Sequence, residues 1–537
     1  MGRARGGFGV RAAAALLALA ALGCVDEKVV YRDAARFNPP SEAAAKFLGY
    51  HDAGAKLTTC GNCHVGPQAE WQETRHAGAW QTLQASGHAQ AACEGCHTVN
   101  SLGNAITAAS TTVGWGATKD PRYQDVQCES CHGPGLDHVQ DPDAVIPLAS
   151  IAADTGALAT NGCGECHSGA HTPFVAEWKE SLHGRKPMRA WTTGGAPQNN
   201  DNCRSCHTGQ GALRAFQVDA RSDYVEKDRD RTGGAPEQIT CAVCHDPHSN
   251  RASRSGTGAT ATTGHQLRYR IDVASEDENL CMKCHHRRGT PDLAAQTSGP
   301  HSPQGPLLLG VAGWWPPNLK AEFAEQRIRS THGTERNPRL CAGCHMETYS
   351  VNDTLTKAFK LNVVGHRFLA IPCVAGPNDE PTRDQSCGLT VTERRFNACT
   401  GSCHGSEDAA LNALLAARAR IFGEASVLNG MVSAVRTAKP AEFTSTNYTT
   451  AEGSYFNVRL AVEVSGTTLS PIEGNIVHNP FLVEALLCTS IVQMKKDYAD
   501  VPAVVATPDP PSCLIWNTPT AAAERLRAQM RVASARR

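Results

Sequence analysis

The sequence predicts a mainly α fold with long irregular loops and a small mixed C-terminal segment, built around bulk that the polypeptide itself does not supply. Three observations lead there. Hydrophobic residues make up 41% of the 537-residue chain but aromatics only 6%, too few large side chains for a conventional core of this length. The 23 cysteines fall largely into one short recurring pattern. Between those patterns the chain is rich in Gly, Pro, Thr and Ala, which favours loops over long regular elements.

The pattern is C-x-x-C-H, and it occurs eight times: Cys60/Cys63/His64, Cys93/Cys96/His97, Cys128/Cys131/His132, Cys163/Cys166/His167, Cys203/Cys206/His207, Cys241/Cys244/His245, Cys281/Cys284/His285 and Cys341/Cys344/His345. Two thiols one helical turn apart can bind the two vinyl groups of one haem as thioethers, and the adjacent imidazole then reaches the iron. Zinc sites also use C-x-x-C pairs, but they do not require a histidine after every second cysteine. A disulfide between cysteines so close in sequence is strained outside redox motifs. The pattern therefore reads as covalent haem c. A ninth site, Cys399-Thr-Gly-Ser-Cys403-His404, carries one extra residue and can present the same three groups, for about nine haems in all.

The N-terminus places these cysteines outside the cytosol. Arg3, Arg5 and Arg11 precede the apolar run from Ala12 to Leu22, too short to span a bilayer and typical of an export signal over residues 1–23. Gly23-Cys24 follows, so Cys24 is the expected lipidation site, with residues 24–50 as a lipid-anchored tether. That puts the protein in the periplasm or on the cell surface, anchored to the outer membrane. Once the motif cysteines and Cys24 are assigned, Cys373, Cys387, Cys488 and Cys513 remain. They suggest two disulfides in an oxidising compartment, Cys373–Cys387 and Cys488–Cys513 being the nearest pairs, with two other connectivities open.

The chain also repeats itself. After the first motif comes Glu70-Trp71-Gln-Glu-Thr-Arg-His76, the third motif follows Val126-Gln, and the unit ends at His138. After the fourth comes Glu177-Trp178-Lys-Glu-Ser-Leu-His183, the sixth follows Ile239-Thr, and this unit ends at His248. We read residues 51–250 as duplicated three-haem units and 251–405 as a third, looser unit, with Ser330-Thr-His332 as its counterpart of the shared histidine segment.

These segments resemble the multihaem cytochromes related to tetrahaem cytochrome c and hydroxylamine oxidoreductase. Val126-Gln-Cys128-Glu-Ser-Cys131-His132-Gly-Pro-Gly135, the Ser-Pro-Gln run after His301 and Gly365-His366-Arg-Phe carry the likeness further. Val477-His478-Asn-Pro480 is similar to a segment that supplies a distal histidine in multihaem nitrite reductases. The resemblance implies a multihaem cytochrome c fold, sparse and mostly helical, around a chain of stacked haems. It also suggests the distal iron ligands: His76, His138, His183, His248, His265, His301, His332, His366 and His478. His51, His88, His171 and His286 stay in reserve, and the pairing of distal with proximal histidines is not readable.

Outside the motifs, residues 211–235 and 251–275 read as polar loops. Residues 406–537 form a haem-poor, mainly helical cap. Within it 407–437 reads as a helix burying Leu411, Leu414, Leu415 and Ile421, 453–465 as a strand or two, and Phe481–Lys496 as an amphipathic helix opened by Asn479-Pro480.

Irons held by two imidazoles have no open position, so the sequence favours a non-catalytic electron-transfer protein with no catalytic residues of its own. The alternative is an oxidoreductase acting on nitrite, hydroxylamine or a sulfur oxyanion at one five-coordinate haem. No C-x-x-C-Lys motif supports it. A haem-stacked filament or homo-oligomer is the third reading. Expected partners are other redox proteins or cytochromes, and the membrane through the lipid anchor. A formal charge of −1 offers nothing to attract nucleic acid.

Overall fold

The computed structural model describes residues 44–104, 113–147, 151–153, 162–169, 171–185, 201–218, 237–250, 265–292, 299–317, 328–333, 336–401, 403–444 and 448–516. The expected export signal, Cys24 and most of the tether lie outside them. The packed chain begins earlier than expected, however. Phe47 and Leu48 are fully buried, and the backbone amides of Leu48 and Gly49 donate to the buried Glu129 carboxylate at 2.7–3.0 Å. Residues 47–49, placed by the sequence in the tether, thus pack onto the segment of the third motif.

Through the motif-bearing region the described elements are short helices joined by irregular segments, as expected. Strands occur as two-stranded antiparallel hairpins, including Tyr50–Asp52 with Leu57–Thr58 and Tyr349–Asn352 with Phe359–Val363. Apolar packing here is broken into separate small clusters. One holds Phe47, Val99, Val113, Trp115 and Tyr123, and another holds Ala153, Val175 and Trp178. Clusters this small cannot hold a chain of this length together by burial alone.

The two repeats fold alike. In helix Val65–Trp71 the Trp71 indole donates to Val126 O at 3.0 Å, and in helix Phe174–Glu180 the Trp178 indole donates to Ile239 O at 2.8 Å. Each carbonyl stands two residues before the unit's third motif. Thr74 and Ser181 then each donate a hydroxyl to the preceding Trp carbonyl at 2.7 Å. These bonds turn the chain out of the helix and lead it to His76 and His183. The Glu-Trp segment is thus a bracket that ties the stretch leading to His76 or His183 to the third motif of its repeat.

The C-terminal part is different, with one large apolar core. Helices Glu407–Ala438, Thr450–Ala461 and Pro480–Asp497 pack on one another, and a Cys488–Cys513 disulfide ties the segment after Pro502–Val505 back onto the third of them. A second disulfide joins Cys373 to Cys387. Three expectations need correction here. The span 453–465 is mostly helix, capped reciprocally by Thr449 and Glu452, and only Val462–Ser465 is strand. Gly453 sits there because a Cβ would fall 2.1 Å from the Trp314 ring, so small residues inside the core mimicked a strand pattern. Pro480–Asp497 is buried on nearly all sides, since it is the central helix and not a surface one. On the long helix, Leu411 and Leu414 are only half-buried and Leu415 is exposed; the buried stripe runs through Ile421, Ala425, Leu428, Val432 and Val435.

A fourth correction concerns the polar loop expected at 211–235. Gly209–Ala215 is a buried helix capped by the Thr208 hydroxyl, and Phe216 packs with Tyr269 of the second expected loop. Residues 219–236 and 251–264 lie outside the described set. No helix among the described residues is long and apolar enough to cross a membrane.

Candidate metal centres

The motifs form tight turns that gather their three functional groups. In the first, fourth, sixth and seventh, the histidine amide donates to the carbonyl of the first cysteine, four residues back, at 2.8–3.0 Å. The ninth motif accommodates its extra residue by closing one residue wider, with His404 N–H on Cys399 O at 3.1 Å. None of the eighteen motif cysteines is engaged in a disulfide. Among the described residues, the one group of three His, Cys, Asp or Glu with ligand atoms within 4.8 Å is Glu424, Cys488 and Cys513, whose cysteines are bonded to each other. The motifs therefore do not form tetrahedral zinc cages.

Instead the fold sets imidazoles opposite one another. His64 faces His138, His76 faces His167, His132 faces His248 and His183 faces His285, with ring centroids 6.1–6.2 Å apart. His207 faces His301 at 5.9 Å, His245 faces His366 at 6.3 Å, His332 faces His404 at 6.4 Å and His345 faces His478 at 6.0 Å. Each pair joins one motif histidine to one expected distal histidine. Metal–imidazole bonds of about 2 Å on opposite faces of one ion put ring centroids roughly 6 Å apart. The residues thus fit a haem iron between each pair.

Ring orientation is fixed from behind. Nδ1 of His138, His245, His332, His345 and His366 donates to a backbone carbonyl at 2.6–2.9 Å, leaving Nε2 with its lone pair forward. Burial holds His76, His132, His183, His245 and His478 down to about 4, so these rings are neutral, the form that binds metal.

The second motif is the exception. His97 is oriented like the others, its Nδ1 on Ala79 O at 2.7 Å, yet no second imidazole faces it. All 22 histidines of the chain are described, so none is held back in a masked segment. His265, the remaining distal candidate, is exposed and instead gives its backbone carbonyl to His245. Of the reserve histidines, His171 stacks on Phe359 at 5.0 Å, and His51 and His286 bond backbone carbonyls at 3.2 and 2.6 Å. His88 is exposed.

Several residues that the sequence marked only as members of the repeated or family-like segments act as positioning residues. Glu177, fully buried, accepts from the amides of Val364 and His366 at 2.9 and 2.7 Å and pairs with Arg367 at 2.9 Å, so it holds the loop that presents His366. Gly365 permits that loop with φ +77°, where a Cβ would lie 2.7 Å from the Met346 backbone. Glu129 plays a similar part for His138 by accepting from Gly135 N at 2.7 Å. Phe174 lies against both His167 and His366, and Phe368 against both His183 and His366.

Residues 59–133 match the family of cytochrome c554 and c-prime. The chain is also similar to the C-type polyheme cytochrome OmcB of Geobacter sulfurreducens, in two strains, at 24% identity over 231 residues. That match takes in 41% of this chain and only 28% of the relative's length. Among solved structures, the outer cell wall cytochrome OcwA aligns over 84% of this chain and all of its own, with 17% identity and a TM-score of 0.47.

Proposed function

We propose that this chain is a multihaem c-type cytochrome that carries electrons along nine covalently bound haems at the periplasmic or outer face of the cell, anchored through Cys24. The observation that carries this reading is the set of eight opposed imidazole pairs at 5.9–6.4 Å. Haem held in such pairs supplies reversible one-electron chemistry at low potential, without a Met ligand to raise it. The protein's own part is to hold the paired rings neutral and fixed by carbonyl bonds, so that little reorganises when charge arrives. Similarity to polyhaem cytochromes supports the same reading. The test is the mass of the denatured holoprotein, which should exceed the processed polypeptide by nine haems after acid–organic extraction. Four or fewer would refute it.

His97 favours a second role beside the first. An iron bound there by one imidazole would have a face open to a small molecule, and an oxidoreductase acting on nitrite, hydroxylamine or a sulfur oxyanion would work at this position.

A further inference from the structure

In the C-terminal core a carboxylate stands against the disulfide. Glu424 is fully buried on helix Glu407–Ala438, Cys488 lies on helix Pro480–Asp497, and Cys513 lies in the short helical turn Pro511–Trp516. Their ligand atoms, one carboxylate oxygen and two sulfurs, are all within 4.8 Å of one another. Among the described residues no other three of His, Cys, Asp or Glu come so close. The Ser512 hydroxyl donates to Glu424 Oε1 at 2.6 Å and orients the carboxylate. Both cysteines belong to the same apolar core as Leu428, Leu487 and Ile491, so competing water is scarce. Burying a carboxylate in such a place is costly, and a purely structural disulfide needs no such neighbour.

The geometry points to a second state of this clasp, in which reduced Cys488 and Cys513 hold one zinc-class divalent cation together with Glu424. Two thiolates and a carboxylate favour a borderline-soft ion over calcium or magnesium, which take shells of oxygen. Tetrahedral bonds of about 2.3 Å to sulfur and about 2.0 Å to oxygen set the ligands roughly 3.5–3.8 Å apart. The cluster has that span, and rotation about the cysteine Cα–Cβ bonds parts the released sulfurs. The exchange balances in two steps. A dithiol reductant gives two electrons and two protons and becomes a disulfide, while the Cys488–Cys513 bond breaks to two thiols. The cation then displaces both thiol protons to solvent, and a water takes its remaining position. Ser512 is half-buried, so the carboxylate end of the cluster is reached from the surface. Disulfide and metal are thus alternative ties between Pro511–Trp516 and the central helix, one for oxidising and one for reducing conditions. The site shares no residue with the haem motifs.

The test uses the full-length protein carrying Cys373→Ala and Cys387→Ala, which removes the other disulfide. It is reduced with a phosphine in denaturant and refolded with zinc or with a chelator. The native mass should gain one zinc, and the denaturation midpoint should be higher with zinc than with chelator. Adding Glu424→Gln should abolish both gains in the reduced protein and leave the midpoint of the oxidised protein unchanged. Absence of zinc from the reduced protein overturns the assignment. So does uptake that is unaltered by Glu424→Gln, or by Cys488→Ala with Cys513→Ala, because the metal then sits elsewhere. A reduced chain that refolds no better with zinc than with chelator overturns it as well. Where Glu424→Gln does not accumulate, Ser512→Ala removes the hydroxyl that orients the carboxylate and should weaken zinc binding roughly tenfold. An unchanged affinity in that variant counts against the site in the same way.

Discussion

His76 faces His167 with ring centroids 6.2 Å apart, and the pairing crosses from one repeat into the next. His183, its counterpart, likewise faces His285, the histidine of the motif that follows its own unit. Each Glu-Trp segment therefore sets its histidine opposite the motif histidine of the following unit, and the repeats interlock through these pairs. The duplication produced an interlocked chain of units, not independent beads.

That relationship makes a direct prediction. His76→Ala should open the iron of the fourth motif and not that of the first, although His76 lies next to the first in sequence. The reduced variant should bind one additional equivalent of carbon monoxide. Adding Cys163→Ala and Cys166→Ala should remove that equivalent, whereas adding Cys60→Ala and Cys63→Ala should leave it.

Glu177 offers a test of positioning at a distance from the iron. Glu177→Ala removes the acceptor for the amides of Val364 and His366 and leaves Arg367 with Glu180 as its remaining partner. Breaking a buried ion pair from one side costs about 3 kcal/mol. The thermal midpoint should fall, and the sixth haem should acquire a high-spin fraction in the electron paramagnetic resonance spectrum. Glu177→Gln, which keeps an acceptor oxygen, should restore the spin state more than the midpoint. A merely structural residue would move the midpoint alone.

Much of this was legible beforehand, and the limits were physical. His76 and His183 could be picked out because each sits in the repeated Glu-Trp segment that carries the family resemblance, and His478 because Val477-His478-Asn-Pro480 is similar to a segment that supplies a distal histidine in multihaem nitrite reductases. Pairing was hidden because it is decided by tertiary contacts: His478 reaches His345 only because Asn479 donates to Leu307 O and Ile328 O, at 2.8 and 2.6 Å. Glu177 stood out only as a member of the repeated Glu-Trp segment, and its counterpart Glu70 is exposed, so the repeat did not announce its role. The helix Thr450–Ala461 was misread because its Gly and Ser lie against Trp314 and the core, which broke the helical period.

The C-terminal disulfide should matter for stability more than for haem loading. Cys488 and Cys513 close a sequence separation of 25 beside the central helix, and a loop of that size contributes about 3 kcal/mol in the chain-entropy account. Cys488→Ala with Cys513→Ala should lower the denaturation midpoint by that order in a chemical melt. Haem mass should not change, since neither cysteine belongs to a motif.

The proposed lipid anchor makes a separate prediction. With Cys24 carrying lipid, Cys24→Ala should shift a haem-loaded protein from the membrane fraction to the soluble one. Undiminished membrane association in the variant would assign anchoring to another part of the molecule.

The last prediction concerns His97. Eight motif histidines face a second imidazole, and this one does not, so the oxidised protein should show one high-spin haem beside a low-spin majority. The reduced protein should bind one equivalent of carbon monoxide. His265→Ala should leave that spectrum unchanged, because His265 is exposed and meets His245 through its backbone carbonyl. Loss of the high-spin signal in Cys93→Ala with Cys96→Ala, at a haem mass lowered by one, would place the open iron at this motif. Persistence of the signal in that variant would place it elsewhere. Turnover of nitrite or hydroxylamine that vanishes with the signal would establish the oxidoreductase role. A wholly low-spin protein that ignores carbon monoxide would leave electron transfer as its whole activity.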